Sequence, residues 1–274
     1  MKKVLAFFEL IKIEHTIFAL PFAYIGGLIG YKGVMPFYHW FWITVAMVSA
    51  RTSAMILNRM IDLEIDRLNL RTADRPLGSE IKVSSVIPVL AVSIALFLFS
   101  SYKLNTLCLY LSPIALLLIT TYSYIKRFSW TTHIFLGVTL ACAPAGGFIG
   151  VTAKLPNLVC LLLCCFVIFW VAGFDILYSI QDAEFDREHN LYSIPQRFGV
   201  KRALHISLAS HIVSGLFLVL LGISANLGLF YWIGASIVLF LLVYQHRLSP
   251  EKAFFFPNTA ISITLFPSVL LSIR

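Results

Sequence analysis

The residues best suited to chemistry in this chain are two sets of side chains at steps of four: Asn58, Asp62 and Asp66, then Tyr178, Asp182 and Asp186. On a helix that spacing stacks side chains along one face. Ten of the thirteen acidic residues fall between Asp62 and Glu80 or between Asp175 and Glu188, and the remainder of the chain reads almost wholly as apolar helix. Magnesium takes oxygen ligands, keeps several waters, and is usually held by one or two carboxylates together with substrate phosphates. Asp62 and Asp66 supply that number for one ion, and Asp182 and Asp186 for a second. A diphosphate bridging two Mg2+ ions would join the two motifs. The plainer reading is that these acids only solvate two loops. Against it stand the matched spacing, the duplication, and the cost of ionisable groups at membrane helix ends unless they are paired or metal-bound.

The elements that must position these groups are membrane helices. With 274 residues, 59% hydrophobic and 12% charged, and a mean hydropathy of +0.87, the chain is far more apolar than a soluble domain. Stretches long enough to span, at roughly 20 residues, lie near 14–33, 38–58, 83–101, 104–123, 131–152, 157–178, 203–223, 226–246 and 254–273. The expectation is an all-α bundle of nine transmembrane helices forming one domain over residues 1–274. No cleavable signal stands out, so the first helix is expected to stay. Sixteen of the twenty-one Lys and Arg residues fall on one side of that topology, against four on the other and Arg51 within helix two. The positive-inside rule then places the N-terminus and both acidic motifs in the cytoplasm and the C-terminus outside. This asymmetry accounts for the net charge of +8 without a nucleic-acid partner.

The motifs lie 120 positions apart, on helices two and six. That offset suggests two four-helix halves with helix nine added, and a central cavity at their interface. Arg51 and Asp175 fall inside predicted spans, roughly 10 Å before the motif aspartates by helical rise. An intramembrane Arg is a functional-site candidate by default. Arg51 is expected to face the cavity, meeting a substrate carboxylate or holding Asp175; a purely structural pair of the two is an equal alternative. The five cysteines sit within spans and read as packing residues. The seven histidines, His133 and His211 among them, read as interfacial, with His15 and Lys12 as further candidates for substrate contact.

Asn58-x-x-x-Asp62-x-x-x-Asp66-Arg67, followed by Arg71-Thr and Arg75-Pro76, resembles the first aspartate-rich motif of the UbiA superfamily of intramembrane prenyltransferases. Asp182-x-x-x-Asp186 resembles the second, and Tyr122-x-x-x-Lys126 its tyrosine–lysine element. Phe174-Asp175-Ile-Leu-Tyr178 through Asp186, with Ser193-Ile-Pro-x-Arg197-Phe-Gly199, is most similar to the quinone branch, described as 4-hydroxybenzoate polyprenyltransferases. The resemblance implies a polyprenyl diphosphate held on two metal ions, its tail among apolar helices open to lipid. Lys126, Arg67 and Arg71 would add positive charge where the diphosphate departs. Tyr122, Tyr178 and Phe174 would offer aromatic faces to an allylic cation, which an electron-rich aromatic acceptor attacks. Asn58, Arg51 and Asp175 complete the implied substrate contacts. Two departures bear on substrate choice: Arg59 stands where some members carry an extra acid, and Lys12 where an arginine-type acceptor contact is common. Naphthoate or futalosine-type menaquinone precursors are the rival acceptors. A transporter is the reading from another class, but it would place its polar elements near the bilayer midplane, whereas these acids gather at one face.

Overall fold

Long runs of Leu, Ile, Val and Phe leave the backbone no partner but itself in a lipid environment, and a helix satisfies every such group internally. The computed structural model describes residues 2–12 and 16–273, so Glu14 and His15 lie outside the described residues. Within them the chain is helical throughout, at 82% helix without strands. The helices are α1 (Lys2–Ile11), α2 (Thr16–Tyr31), α3 (Phe37–Ile61), α4 (Leu63–Leu68), α5 (Val83–Leu104), α6 (Thr106–Ile125) and α7 (Thr132–Thr152). Then follow α8 (Leu158–Ser179), α9 (Ala183–Glu188), α10 (Ile194–Phe198), α11 (Val200–Ser224), α12 (Leu229–Tyr244) and α13 (Pro250–Leu270).

Among the described residues eight helical segments are long and apolar enough to cross a membrane: α3, α5, α6, α7, α8 with its continuation to Glu188, α11, α12 with the tight turn that carries it on to Arg247, and α13. The first expected span is met by α2, which has 16 residues, fewer than the roughly 20 a crossing needs. The nine expected stretches therefore correspond to eight full-length helices and one short one. The short helix is nonetheless central. It packs against α7, α3, α13 and α8, with Phe22, Ile25 and Leu28 buried. Apolar solvent gives helices little reason to associate except close packing, which small residues permit. A Cβ on Gly26 would collide with the Pro144 carbonyl of α7, and one on Gly147 with the Ala23 carbonyl of α2. The two backbones touch at reciprocal glycines, and neither position tolerates a side chain.

Helix α8 is the buried axis. Trp170, Phe166 and Val171 along it are buried, and Trp170 Nε1 donates to Asn258 Oδ1 of α13 at 2.8 Å. Ser207 and Ser214 of α11 donate to the Gly173 and Phe166 carbonyls at 2.7 and 2.9 Å. Phe174 belongs to this core, against Trp170 and Phe254. It presents no face to a substrate, in contrast to the role expected of it.

A cavity of about 300 Å³ opens among α2, α3, α5, α6 and α7. Its position departs from the expected interface between two halves. Large aromatics fill the space around α8, while Ala46, Ala50 and Ala54 line one face of α3, and Ala143, Gly146 and Gly147 the facing wall on α7. Small side chains leave room there. At Gly146 an added Cβ would meet nothing within 4 Å.

Candidate active site

Both acidic motifs sit at the same end of the bundle and are built alike. Helix α3 stops at Ile61, Asp62 leaves helical geometry at φ −94° and ψ 4°, and α4 resumes for six residues. Helix α8 stops at Ser179, a single tight turn carries Ile180–Asp182, Asp182 takes φ −100° and ψ 3°, and α9 resumes for six residues. Through the breaks the chain reads Asp62-Leu-Glu64-Ile-Asp66-Arg67 and Asp182-Ala-Glu184-Phe-Asp186-Arg187. The same residue types recur at four of those six positions. The carboxylate ladders expected on continuous helices are thus each interrupted at their middle residue, in the sparsely populated bridge conformation.

Three of the four carboxylates, Asp62, Asp66 and Asp182, are partnered by cations. Asp62, 3% exposed, accepts from Lys126 Nζ at 2.7 Å and from Asn58 Nδ2 at 3.0 Å, both on Oδ2. Its Oδ1 is buried without a hydrogen-bond donor, with Arg127 Nη2 at 3.7 Å. Asp66, 8% exposed, meets Arg75 Nη1 at 2.5 Å and Arg59 Nη1 at 3.9 Å. Asp182 is gripped from the first motif's loop: Arg71 donates Nε to Oδ1 at 2.9 Å and Nη2 to Oδ2 at 2.5 Å, and Asn69 Nδ2 adds a bond at 2.9 Å. Arg71 Nη1 also donates to the Tyr178 hydroxyl at 2.8 Å, and its guanidinium lies over the Tyr178 ring. Burial of Arg71 works to lower its pKa, but the hydrogen bonds and charge of Asp182 outweigh this and hold it above its ordinary value. It stays charged. Asp186 accepts from Ser193 Oγ at 2.7 Å.

One backbone bond ties the loops together: the Tyr192 N–H donates to the Lys126 carbonyl at 2.6 Å, while the Leu191 N–H closes the second motif's own loop on the Asp186 carbonyl at 2.8 Å. The segments around Asp62, Lys126 and Asp182, assigned to one side by their basic residues, therefore do meet at one end. Tyr122 and Arg51 line the cavity, and Asn58 Nδ2, at 3.1 Å from Ser123 Oγ, fixes α3 to α6 beside Asp62. Arg67 lines a small pocket beside Asp66, Arg59 and Arg75 but, among the described residues, pairs with none of the motif carboxylates. It donates to the Gly78 carbonyl at 3.4 Å, because one step past Asp66 on a helix turns it about 100° away.

Asp175 has a partner that the sequence did not reveal. His133 of α7, 2% exposed, lies with Nδ1 at 2.7 Å from Asp175 Oδ2, and the Ile194 N–H donates to its Nε2 at 3.2 Å. Its reading as interfacial is overturned, since a ring satisfied at both nitrogens can be buried. His211 departs the same way, buried with Nδ1 at 2.7 Å from His246 Nε2. Among the described residues no three His, Cys, Asp or Glu side chains gather closely enough to hold a metal by themselves.

A family model described as the UbiA prenyltransferase family matches residues 19–253. This chain belongs to the UbiA prenyltransferase family. Among similar curated proteins, the 4-hydroxybenzoate octaprenyltransferase of Yersinia pseudotuberculosis is 31% identical over 232 residues, covering 81% of this chain and 79% of that protein. The enzyme of the same name from Providencia stuartii is 29% identical over 236 residues, covering 84% and 81%. Among solved structures, the apo form of a UbiA homologue from Aeropyrum pernix K1 superposes with a TM-score of 0.87 at 32% identity, over 94% of this chain and 98% of that one. A UbiA homologue from Archaeoglobus fulgidus bound to GPP and Mg2+ shares the fold at a TM-score of 0.72 and 18% identity, over 97% and 99%. The protein is a multi-pass membrane prenyltransferase of this family.

Proposed function

We propose that this UbiA-family prenyltransferase carries a polyprenyl group from its diphosphate to 4-hydroxybenzoate, with Mg2+, in quinone biosynthesis. The observation that carries the reading is the meeting of the two broken-helix motifs, through Arg71 and Asp182, at the end of the bundle where Tyr122 and Arg51 line an apolar cavity. The names of the curated relatives support the acceptor. The basic-residue asymmetry supports a bacterial plasma-membrane enzyme with its N-terminus and site mouth in the cytoplasm.

The donor set fits magnesium. It is all carboxylate oxygen, arranged in pairs and not in closed cages, as suits an ion that takes one or two carboxylates and completes its shell with phosphate and water. The buried Asp62 Oδ1 without a donor is a ready ligand. Asp62 and Asp66 would hold one ion and Asp182 and Asp186 another. The metal supplies Lewis acidity toward the departing diphosphate.

The chain's own residues do the rest. Five cations, Arg59, Arg71, Arg75, Lys126 and Arg127, now neutralise the acids. Arg71 and Lys126 turn toward diphosphate oxygens as the allylic C–O bond breaks, stabilising charge where it develops. The cavity walls hold the prenyl tail and exclude water from the cation, and the Tyr122 ring attracts it through its face. Arg51 binds the acceptor carboxylate, and Asp175 accepts a hydrogen bond from its hydroxyl, which enriches the ring carbon that attacks. The diphosphate leaves with the C–O electron pair, and the ring carbon then gives up its proton to a base.

Membranes containing the protein, given 4-hydroxybenzoate and a polyprenyl diphosphate, should form prenylated product with Mg2+ and none with excess EDTA. A folded protein that makes no product in Mg2+ would exclude 4-hydroxybenzoate and turn the assignment to naphthoate or futalosine-type acceptors.

A further inference from the structure

His133 plays no part in the chemistry above, yet it is buried and bonded at both ring nitrogens, to Asp175 of α8 and to the Ile194 N–H beside the second motif. It precedes Leu136 and Leu140 by three and seven residues, so the three share one face of α7, and both leucines line the cavity. Its ring therefore extends that wall toward the motif end of the bundle. Across from it, Asp175 begins the face of α8 that continues through Tyr178 toward Asp182. The hydrogen-bond partners fix the ring's proton. Because Nε2 accepts from the Ile194 N–H at 3.2 Å, the proton sits on Nδ1 and is donated to Asp175 Oδ2 at 2.7 Å. Among the described residues Asp175 Oδ1 receives no hydrogen bond, and the Asp175 side chain remains 22% exposed. The histidine also grips the loop that serves the second motif. Ile194 follows Ser193, whose hydroxyl donates to Asp186 at 2.7 Å.

We propose that His133 is a positioning residue, which pins Asp175 by one oxygen so that the other faces the site and takes the hydroxyl of the aromatic acceptor. The inference rests on the acceptor role assigned to Asp175 above. A ring held at both nitrogens cannot turn, so the carboxylate it holds is fixed in direction as well as in place. An isolated carboxylate on a membrane helix would be costly without such a donor.

The test is steady-state kinetics of the full chain in proteoliposomes, varying acceptor and prenyl diphosphate in turn, with whichever hydroxyaromatic acid the parent turns over. Failure of the acceptor assignment then shows in the parent, and failure of this inference only in the variants. His133→Leu should raise the acceptor KM roughly tenfold or more, the value of one hydrogen bond to a charged group, while leaving the diphosphate KM within about twofold. His133→Asn, whose amide N–H takes the place of Nδ1–H, should recover most of that loss. In an Asp175→Asn background the leucine should have no further effect. Equal rises in both KM values, or an undiminished loss in the Asp175→Asn background, would overturn the proposal. Should His133→Leu not fold, His133→Asn against His133→Gln decides, because glutamine presents its N–H from the Nε2 position. Asparagine performing better upholds the inference, and glutamine performing as well or better defeats it.

Discussion

The two acidic helix ends share a backbone but not an electrostatic design. Asp62 and Asp182 break their helices at nearly the same angles, and each starts a six-residue helix carrying Glu, Asp and Arg at matching places. Yet among the described residues every cation that pairs with Asp62, Asp66 or Asp182 belongs to the first part of the chain: Arg59, Arg71, Arg75, Lys126 and Arg127. The second motif brings carboxylates and borrows its arginine. A repeated scaffold can therefore hold two similar ligand sets while only one neighbourhood supplies the charge that meets an anionic leaving group. It also makes the Arg71 bridge the joint between the two motifs, since it spans 111 positions to reach Asp182.

The strongest challenge to that comparison is to remove the middle aspartate on each side. Asp62→Ala and Asp182→Ala should each lower prenyl transfer by about a thousandfold, because each deletes a carboxylate of the proposed metal-diphosphate site. A loss confined to one of them would show that the matching backbone conceals unequal roles. A smaller effect is expected from exchanging the guanidinium for an ammonium. Arg71→Lys should cost on the order of tenfold to a hundredfold in kcat/KM, because a two-pronged grip on Asp182 becomes a single contact. Arg75→Lys, which replaces a single 2.5 Å contact to Asp66, should cost less. Kinetics in which Arg75→Lys is the worse of the two would reverse the assignment of the bridging cation.

The smallest effect on catalysis, though not on selectivity, is expected in the cavity wall. Gly146→Leu has open space before it and should shorten the longest prenyl diphosphate accepted, with thermal stability kept or raised by up to about 1 kcal/mol. Gly147→Ala, one residue on, meets the Ala23 carbonyl and should destabilise the protein by roughly 1–3 kcal/mol. Product chain lengths and melting curves of the two variants read this contrast directly.

Much of the site was legible because it obeys helical spacing. Asn58 and Asp62 stand at a step of four and Lys126 belongs to the element that resembles the family's tyrosine–lysine pair, and the three come together within 3.0 Å contacts. The spans were legible as well, since apolar length is set by the thickness a helix must cross, although α2 is short and is recognised by its packing more than by its reach. What spacing could not convey is any contact between distant segments. Neither the grip of Arg71 on Asp182 nor that of His133 on Asp175, 42 positions away, leaves a periodic trace. The histidine looked like one more polar residue near a helix end.

By itself, then, the sequence determined that the chain is a membrane helix bundle and that its two carboxylate pairs lie at one face. These follow from composition, charge asymmetry and the fixed rise and turn of a helix. The tertiary structure alone decided where the helices break, that the cavity lies among α2, α3, α5, α6 and α7 and not around α8, and that Arg67 turns away while Arg71 crosses over. Such outcomes depend on which side chains are small where helices cross. That is a property of pairs of segments in contact, which no single stretch of residues records.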